Sequence, residues 1–229
     1  MPAVALIGPD GAGKTTVTRM LVESGILPFR YLYMGVDIRS SNIALPTSRL
    51  IERIKGRAGD EAAPRTAPAA RGLTQRLTRA AWASARLANR IAEQWFRQCV
   101  SWYYQACGYV VLYDRHYYFD YSPEITATDP RSVDRSLHEW HLQRIYPRPD
   151  LVIFLDAPGA LLYERKGELT PDELERRRQG FLAAGRRLPR FVRVDATRPL
   201  PDVYAEVTAL VTGFCRQQAQ AIPVERQPS

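Results

Sequence analysis

The chain has 229 residues, a formal net charge of +8 and three cysteines, and 45% of its residues are hydrophobic. This length is enough for one large domain with a substantial core, and no apolar run is long enough to cross a bilayer. The cysteines show no metal-binding or redox spacing, whereas the positive charge fits nucleotides, nucleic acid or an anionic membrane surface equally well.

The first predicted strand, residues 3–7, leads directly into the loop GPDGAGKTT at residues 8–16. This loop has the spacing G-x-x-x-x-G-K-T, in which glycines let backbone N–H groups approach phosphate oxygens closely. Lys14 places a cation against the terminal phosphates, and the Thr15 hydroxyl suits a Mg²⁺ ligand. The strand before the loop and the helix pattern after it argue against a chance match. The pattern therefore predicts ATP-binding residues in the loop: Gly8, Asp10, Gly11, Ala12, Gly13, Lys14, Thr15 and Thr16.

Four further strands are predicted from short apolar runs that alternate with helical patterns. They cover about 29–34, 109–113, 151–155 and 191–194. Near-continuous apolarity, as in YVVLY and LVIFL, is typical of parallel strands that are covered on both faces. The fold class predicted is α/β, a five-stranded parallel sheet with helices on both faces and a ligand site at the carboxyl edge of the strands.

Two segments are predicted to lie outside this core. Residues 55–72 are rich in Ala, Pro, Gly and Arg and are predicted to form a mobile insert. The domain is predicted to cover 1–216, because residues 217–229 have the character of a disordered tail.

A long helix, about 74–106, is predicted to carry a stripe of arginines within about 40° of one another. They are Arg79, Arg86, Arg90 and Arg97. The stripe either guides an anionic acceptor or forms a solvated face, and the solvated face is the favoured interpretation. Arg86 and Arg90 are nevertheless kept as candidate ligands of an acceptor phosphate.

The third strand is followed by Asp114 and Arg115, at the same sheet edge as the first loop. Asp114 is a candidate Mg²⁺ ligand together with Thr15, and Arg115 is suited to stabilise charge on a transferring phosphoryl group. A structural ion pair at the strand end is the alternative. In the aromatic segment that follows, four side chains are suited to stack on an acceptor ring or sugar face, although ordinary packing explains most of such a run: Tyr117, Tyr118, Phe119 and Tyr121. Tyr118 is the candidate acceptor contact among them. Asp120 is a candidate partner of an acceptor hydroxyl.

These motifs together resemble the thymidylate kinase family of P-loop nucleoside monophosphate kinases. The resemblance rests on the first loop, on Asp114-Arg115-His116 and on three later segments in the right order. The segments are PDLVIFLDAP at 149–158, RKGEL at 165–169 and VDATRPLPDVYAEV at 194–207. The resemblance implies a P-loop kinase fold with a short lid at about 163–187, ATP as the phosphoryl donor and Mg²⁺ as cofactor.

The resemblance also implies roles for residues of the second half. Because Gly11 stands where some members of the family have an arginine, the lid is expected to supply the charge, with Arg165 and Lys166 as candidates. Thr197 falls in the loop that the family places near the adenine. The Arg-Glu-Pro-Gly-Gly stretch that usually follows the second strand in the family is replaced here by YLYMGVDIRSSNIALPTSR.

The function predicted is an ATP-dependent kinase that phosphorylates a small acceptor, by default a nucleoside monophosphate such as dTMP. Lys14, Asp114, Arg115 and Arg165 are the predicted catalytic residues, and Asp10 is a candidate contact of ATP or of the acceptor. The alternative is a kinase of the same fold that acts on another phosphorylated or sugar-like metabolite. A switch protein or a nucleic-acid-binding protein is disfavoured, since neither a guanine-reading motif nor a nucleic-acid-binding module is present. The expected location is the cytoplasm, and a homodimer is left open.

Overall fold

The structure is a computed structural model that describes residues 1–38, 40–50, 73–122, 125 and 133–221. All five predicted strands are present, within about one residue of their predicted bounds. They are β1 (Ala3–Ile7), β2 (Phe29–Tyr33), β3 (Val110–Asp114), β4 (Leu151–Asp156) and β5 (Phe191–Asp195). The insert predicted at 55–72 lies outside the described residues.

The five strands form one parallel sheet in the order β2-β3-β1-β4-β5, which confirms the predicted fold class. Strand β1 is central, with Leu6 in register with Asp114 of β3 and Ile7 in register with Phe154 of β4. All strands therefore end at one edge, and the loops that follow β1, β3 and β4 lie side by side there. In open parallel sheets this edge is the place where ligands bind.

Seven helices or helical turns with described bounds connect these strands. They are α1 (Lys14–Glu23), α2 (Leu73–Ala106), α3 (Tyr117–Asp120), α4 (Val133–Arg144), α5 (Gly159–Lys166), α6 (Pro171–Gly185) and α7 (Leu200–Ala221). Residues 46–50 are also helical. Helix α6 starts with a capping box, because the Thr170 side chain accepts from the Glu173 N–H and the Glu173 side chain accepts from the Thr170 N–H.

The hydrophobic core is divided between the two faces of the sheet. One half packs α1 and α7 against the sheet, with Val17 and Val207 completely buried. The other half contains the aromatic turn α3 together with Leu142 of α4 and Phe181 of α6. The side chains of β1 alternate between these halves, since Leu6 belongs to the first and Ile7 to the second.

Two further sequence predictions can be compared with the fold. Helix α7 continues to Ala221, so the predicted start of a disordered tail at residue 217 is wrong for residues 217–221. This segment, QQAQA, consists of residues with good helix propensity, which lets the helix continue beyond the last core contact at Cys215. Among the described residues, no helix is long and apolar enough to cross a membrane.

Candidate nucleotide and phosphoryl-transfer site

The loop between β1 and α1 requires glycine at two positions, because a different backbone carbonyl group lies close to each of them. Gly8 has φ +151°, and a Cβ placed there would lie 2.7 Å from the Leu155 carbonyl oxygen at the end of β4. Gly11 has φ +88°, and its Cβ would lie 2.7 Å from the Leu162 carbonyl oxygen of α5. Both glycines therefore let the loop pack against neighbouring backbone while its own N–H groups stay close to the ligand side.

Lys14, the first residue of α1, is buried, with 5% of its surface exposed. Its Nζ donates to the Pro9 carbonyl oxygen at 2.7 Å, so the ammonium group lies against the loop. Burial, aided by the charge of Arg115, lowers the pKa of Lys14 to about 8, although Asp10 and Asp114 oppose the shift. The start of α1 has no side-chain cap. A cation and the N-terminus of the helix thus converge on the position that a triphosphate needs.

The predicted Mg²⁺ ligands are in contact. The Thr15 hydroxyl donates to Asp114 Oδ2 at 2.7 Å, and the Tyr31 hydroxyl donates to the same oxygen at 3.1 Å. Asp114 Oδ1 is buried and has no hydrogen-bond partner among the described residues. A carboxylate oxygen without a partner beside a threonine hydroxyl suits a divalent cation that takes its remaining ligands from phosphate and water. Within the described part of the chain, no group of three or more His, Cys, Asp or Glu side chains is arranged for a metal ion.

Arg115 has a left-handed backbone, with φ 69°, which is uncommon for a residue other than glycine. Its N–H donates to the Leu6 carbonyl oxygen at 3.2 Å, which keeps the chain at the edge of the sheet after β3 has ended. Its guanidinium reaches across to the first loop and pairs with Asp10 at 2.5 Å. A backbone of this kind costs about 1–2 kcal/mol and is found mainly at functional sites.

Asp10 is the centre of a cluster of cations. Besides Arg115, Lys166 Nζ lies 3.8 Å from Asp10 Oδ1, and an Arg177 guanidinium nitrogen lies 3.7 Å from Oδ2. Burial by itself would raise the pKa of Asp10, but the charges of Arg115, Lys14 and Lys166 outweigh it and lower the pKa. One carboxylate is therefore surrounded by more positive charge than it can balance, and an anionic ligand is favoured at this position.

The lid residues are distributed differently from the prediction. Arg165 turns away from the cluster and donates to the Ala196 carbonyl oxygen at 2.9 Å, in the loop after β5. Its neighbour Lys166 approaches Asp10 instead. Arg177, on helix α6, also reaches Asp10, and Arg178 pairs with the buried Asp156. Helical phase explains these positions, because residues three or four apart share one face of a helix while sequence neighbours do not.

Thr197, the candidate adenine neighbour, lies in the loop after β5 that Arg165 contacts. Its backbone N–H and its hydroxyl both donate to Asp195 Oδ1, at 2.9 and 2.7 Å. These bonds shape the turn, and the bond from Arg165 ties it to the end of α5. Arg165 is thus placed beside the loop that contains Thr197, not beside the cations around Asp10.

A cavity of about 540 Å³, called the large cavity below, opens beside the first loop. Its lining includes Asp10, Arg115, Asp120, Arg176, Arg177 and Phe181. The first loop, the segment after β3 and helix α6 all contribute residues to this lining, so the cavity joins the residues of the first loop to the cations of α6. Its volume is in the range of small-molecule sites.

A second cavity of about 290 Å³, the small cavity, lies against α2. Its lining includes Arg86, Arg90, Gln94, Arg97, Tyr117 and Tyr121, and it shares Val36 with the large cavity. Arg86 and Arg90 are exposed, as a solvated face requires, yet both border this cavity. The side chain of Arg79 is outside the described part of the structure.

The interpretation of the stripe as a solvated face is wrong for Arg97, which is completely buried. Arg97 Nε pairs with Glu93 Oε1 at 2.7 Å, and Nη1 donates to the carbonyl oxygens of Tyr33 and Gly35. Its Nη2 has no hydrogen-bond partner among the described residues. Burial is possible because the helix packs this face on the segment after β2, which supplies the carbonyl acceptors.

The aromatic segment after β3 is packed mainly into the core. Tyr118 is buried against Phe119, with ring centroids 5.2 Å apart, and the structure does not bring it to the lining of either cavity. Tyr117 and Tyr121 line the small cavity in its place. Both belong to the aromatic segment for which the sequence analysis predicts stacking, and their spacing of four residues, one helical turn, places them on the same side.

Comparison with known proteins gives one informative relative. No family model matches the chain. A protein described as a probable thymidylate kinase, from Archaeoglobus fulgidus, is 33% identical over 114 residues. The match covers 47% of this chain and 55% of the relative, so the chain spans about half the length of the protein it matches. The chain is similar to this probable thymidylate kinase over that part, and the similarity supports a kinase-like function.

Proposed function

We propose that this protein is an ATP-dependent phosphotransferase that moves the γ-phosphoryl group to a small acceptor bound in the large cavity. The observation that carries the proposal is the meeting of four cations around the first loop, two of them from the lid. They are Lys14, Arg115, Lys166 and Arg177. The partial similarity to a probable thymidylate kinase supports the same function class.

The roles of the donor side follow from its contacts. The loop N–H groups and Lys14 bind the β- and γ-phosphates. Lys14 is already in position for this role, because its ammonium group donates to the Pro9 carbonyl oxygen of the same loop. Thr15 and Asp114 would hold Mg²⁺, which neutralises charge on the phosphate oxygens when it is bound. The buried Asp114 Oδ1, which has no hydrogen-bond partner among the described residues, is the oxygen available to the ion.

Arg115 and the lid cations act on the group in transit. Charge spreads over the phosphoryl oxygens as the bond to ADP breaks, and a planar guanidinium can donate to two of them at once. In the structure Arg115 is held by Asp10, at the border of the large cavity. Lys166 and Arg177 approach from the other side and exclude water when the lid is closed over the ligands.

The resemblance to thymidylate kinases and the partial similarity to a probable thymidylate kinase make a nucleoside monophosphate such as dTMP the default acceptor. A different phosphorylated or sugar-like metabolite is the second candidate. One observation favours it: the small cavity, which adjoins the large one at Val36, is bordered by arginines. A neutral pyrimidine ring would leave those charges without a partner.

A transfer assay tests the proposal. The protein, Mg²⁺ and ATP labelled in the γ-phosphoryl group are incubated with a set of nucleoside monophosphates and sugar phosphates, and labelled products are separated from ATP. The proposal expects one labelled acceptor, and no label transfer by Lys14→Ala. A folded protein that binds ATP but transfers the label neither to an acceptor nor to water would contradict the proposal.

A further inference from the structure

Asp120 has an environment that the roles above do not use. It is the last residue of the turn α3 and lines the large cavity with Arg115 and Gly8. The Val36 backbone N–H interacts with its carboxylate and lowers the pKa of that group. Its Oδ2, however, is shielded from solvent and has no hydrogen-bond partner among the described residues.

Such an oxygen is unusual, because a buried carboxylate normally has all its oxygens bonded. The other carboxylates of the site already have partners: Asp10 pairs with Arg115, and Asp114 Oδ2 accepts from Thr15 and Tyr31. Rotation of a carboxylate about its last bond is easy, so Asp120 can turn its free oxygen toward a ligand in the cavity. The missing partner is therefore expected to be a donor on the acceptor.

The surroundings keep this carboxylate basic. Burial raises the pKa of Asp120 to about 6, against the opposing effects of Arg115, the Val36 N–H and Lys14, while Asp10 adds to the rise. Other charged groups border the same cavity from the lid helix and α4: Arg135, Glu173, Arg176 and Arg177. The hydroxyls of Tyr33, Tyr117 and Tyr121 also interact with it. Near neutral pH Asp120 is thus ionised and able to take a proton.

The chemistry of the acceptor decides whether such a group is useful. A nucleoside monophosphate attacks through an oxygen that is already ionised, so it has no proton to give and would be repelled by a carboxylate. A hydroxyl must lose its proton as the new bond to phosphorus forms, and a positioned carboxylate accepts that proton. We propose that Asp120 is the general base of the transfer and that the attacking group of the acceptor is a hydroxyl.

This step rests on the phosphotransferase function proposed above. The hydroxyl oxygen attacks the γ-phosphorus, its proton passes to Asp120 Oδ2, and the bridging P–O bond breaks with its electron pair leaving on ADP. Arg115 and Lys14 stabilise the charge on the oxygens of the group in transit. Asp120 releases its proton to solvent after the lid opens. The product is a phosphate ester and not a phosphoanhydride.

The small cavity narrows the class of hydroxyl compound. Glu93, the one carboxylate among the described residues of its lining, already bonds Arg97 and the Leu45 N–H. Arg86, Arg90 and the free Nη2 of Arg97 therefore leave an excess of positive charge. An acceptor with a hydroxyl and an anionic group, phosphate or carboxylate, would pair with both cavities. Its hydroxyl would donate to Asp120, and its anionic group would accept from these arginines.

The test uses a defined set of probes. Glycerol 3-phosphate, glucose 1-phosphate, glucose 6-phosphate, glucuronate, glucose, dTMP and dCMP are each incubated with the wild-type protein, Mg²⁺ and ATP. Phosphorus NMR then separates an ester product from a phosphoanhydride, which shows coupling between its two phosphorus nuclei. The proposal expects an ester, formed fastest from an acceptor that carries an anionic group.

Asp120→Asn keeps the shape and removes the base, so its transfer rate should fall by about 10²–10⁴-fold with little change in ATP affinity. Glu23→Gln, at the exposed end of α1, is the control that removes a carboxylate elsewhere. The wild-type rate should fall as pH drops through about 6, where Asp120 gains its proton. Asp120→Asn should lack that fall.

The outcomes are distinct. A phosphoanhydride as the sole product, or ester formation by Asp120→Asn at the wild-type rate, would overturn the role of Asp120 and leave the phosphotransferase proposal intact. If Asp120→Asn does not fold, the wild-type product and pH profile still decide. If only water accepts the phosphoryl group, an undiminished hydrolysis rate in Asp120→Asn overturns the inference and a reduced rate supports it. A wild-type protein that consumes no ATP would overturn the proposed function itself.

Discussion

The proposed donor side and the proposed acceptor side of this site are built in different ways. The proposed donor side consists of one continuous segment, Gly8 to Thr16, which joins the first loop to the start of α1, plus Asp114 and Arg115 at the end of the adjacent strand. The acceptor side gathers side chains from α2, α3, the segment after β2 and the lid helix. A continuous motif keeps its geometry wherever it occurs, whereas a composite cavity can change its ligand through a few distant substitutions.

The largest expected loss of transfer rate is that of Lys14→Ala, in the first loop. The ammonium group is the one cation buried within the loop, so its loss should lower transfer to less than about a thousandth of the wild-type rate. Circular dichroism should show an intact fold, since the Pro9 carbonyl is the only hydrogen-bond partner of the Lys14 ammonium group among the described residues. Arg216→Ala, which removes an exposed cation on α7, is the control and should transfer normally. Full activity of Lys14→Ala would remove the loop from the mechanism.

The lid offers a comparison between two neighbours. Lys166→Ala should lower the transfer rate by about 10- to 100-fold, because it removes a charge that approaches Asp10 and the phosphoryl group. Arg165→Ala should instead weaken ATP binding, since Arg165 bonds the Ala196 carbonyl in the loop beside Thr197. Steady-state kinetics on both variants measure the two effects. The reverse pattern would restore the catalytic role that the sequence predicted for Arg165.

ATP affinity should depend on the protonation of Lys14. Its pKa in the folded protein is lowered to about 8, so the free protein loses this cation as pH rises through that value. If only the protonated form binds the triphosphate, the dissociation constant should rise by about tenfold between pH 7 and pH 9. Calorimetric titration with Mg²⁺ and ATP measures this. A flat profile would show that the ammonium group does not contribute to ground-state binding.

The backbone of Arg115 gives the smallest expected effect. Arg115→Ala and Arg115→Gly remove the same guanidinium, but only glycine relieves the left-handed conformation. Arg115→Gly should therefore be more stable than Arg115→Ala, by about 1 kcal/mol in the free energy of unfolding. Urea unfolding of the two variants measures the difference. Equal stability would mean that no strain is stored at this position.

The contrast between the two sides also explains what the sequence could predict. The strands, the first loop and the contact of Thr15 with Asp114 follow from local patterns and from the rule that parallel strands end at one edge. The positions of Arg97 and Tyr118 do not, because periodicity shows which residues share a helix face but not what that face packs against. The burial of Arg97 depends on Glu93 and on the carbonyl oxygens of Tyr33 and Gly35, at and just after the end of β2.

The lid shows the same limit at shorter range. RKGEL marks the end of α5, yet adjacent cations there point to different loops, and Arg177 in the next helix supplies charge that the motif alone does not predict. The capping box at Thr170 was predictable because both partners lie within four residues. Interactions across the lid depend on how two helices meet, which no single segment encodes.

A single-turnover measurement with Arg115→Lys tests the central claim that this site transfers a phosphoryl group. Lysine keeps the charge beside Asp10 but loses the planar fork that meets two phosphoryl oxygens. With saturating Mg²⁺ and ATP and an acceptor identified in the transfer assay, rapid-quench kinetics should show a chemical step slowed by about 10²–10³-fold. The dissociation constant of ATP should stay within about twofold of the wild-type value, because Lys14 and the loop hold the ground state. An unchanged chemical step, or a loss confined to ATP affinity, would contradict the account.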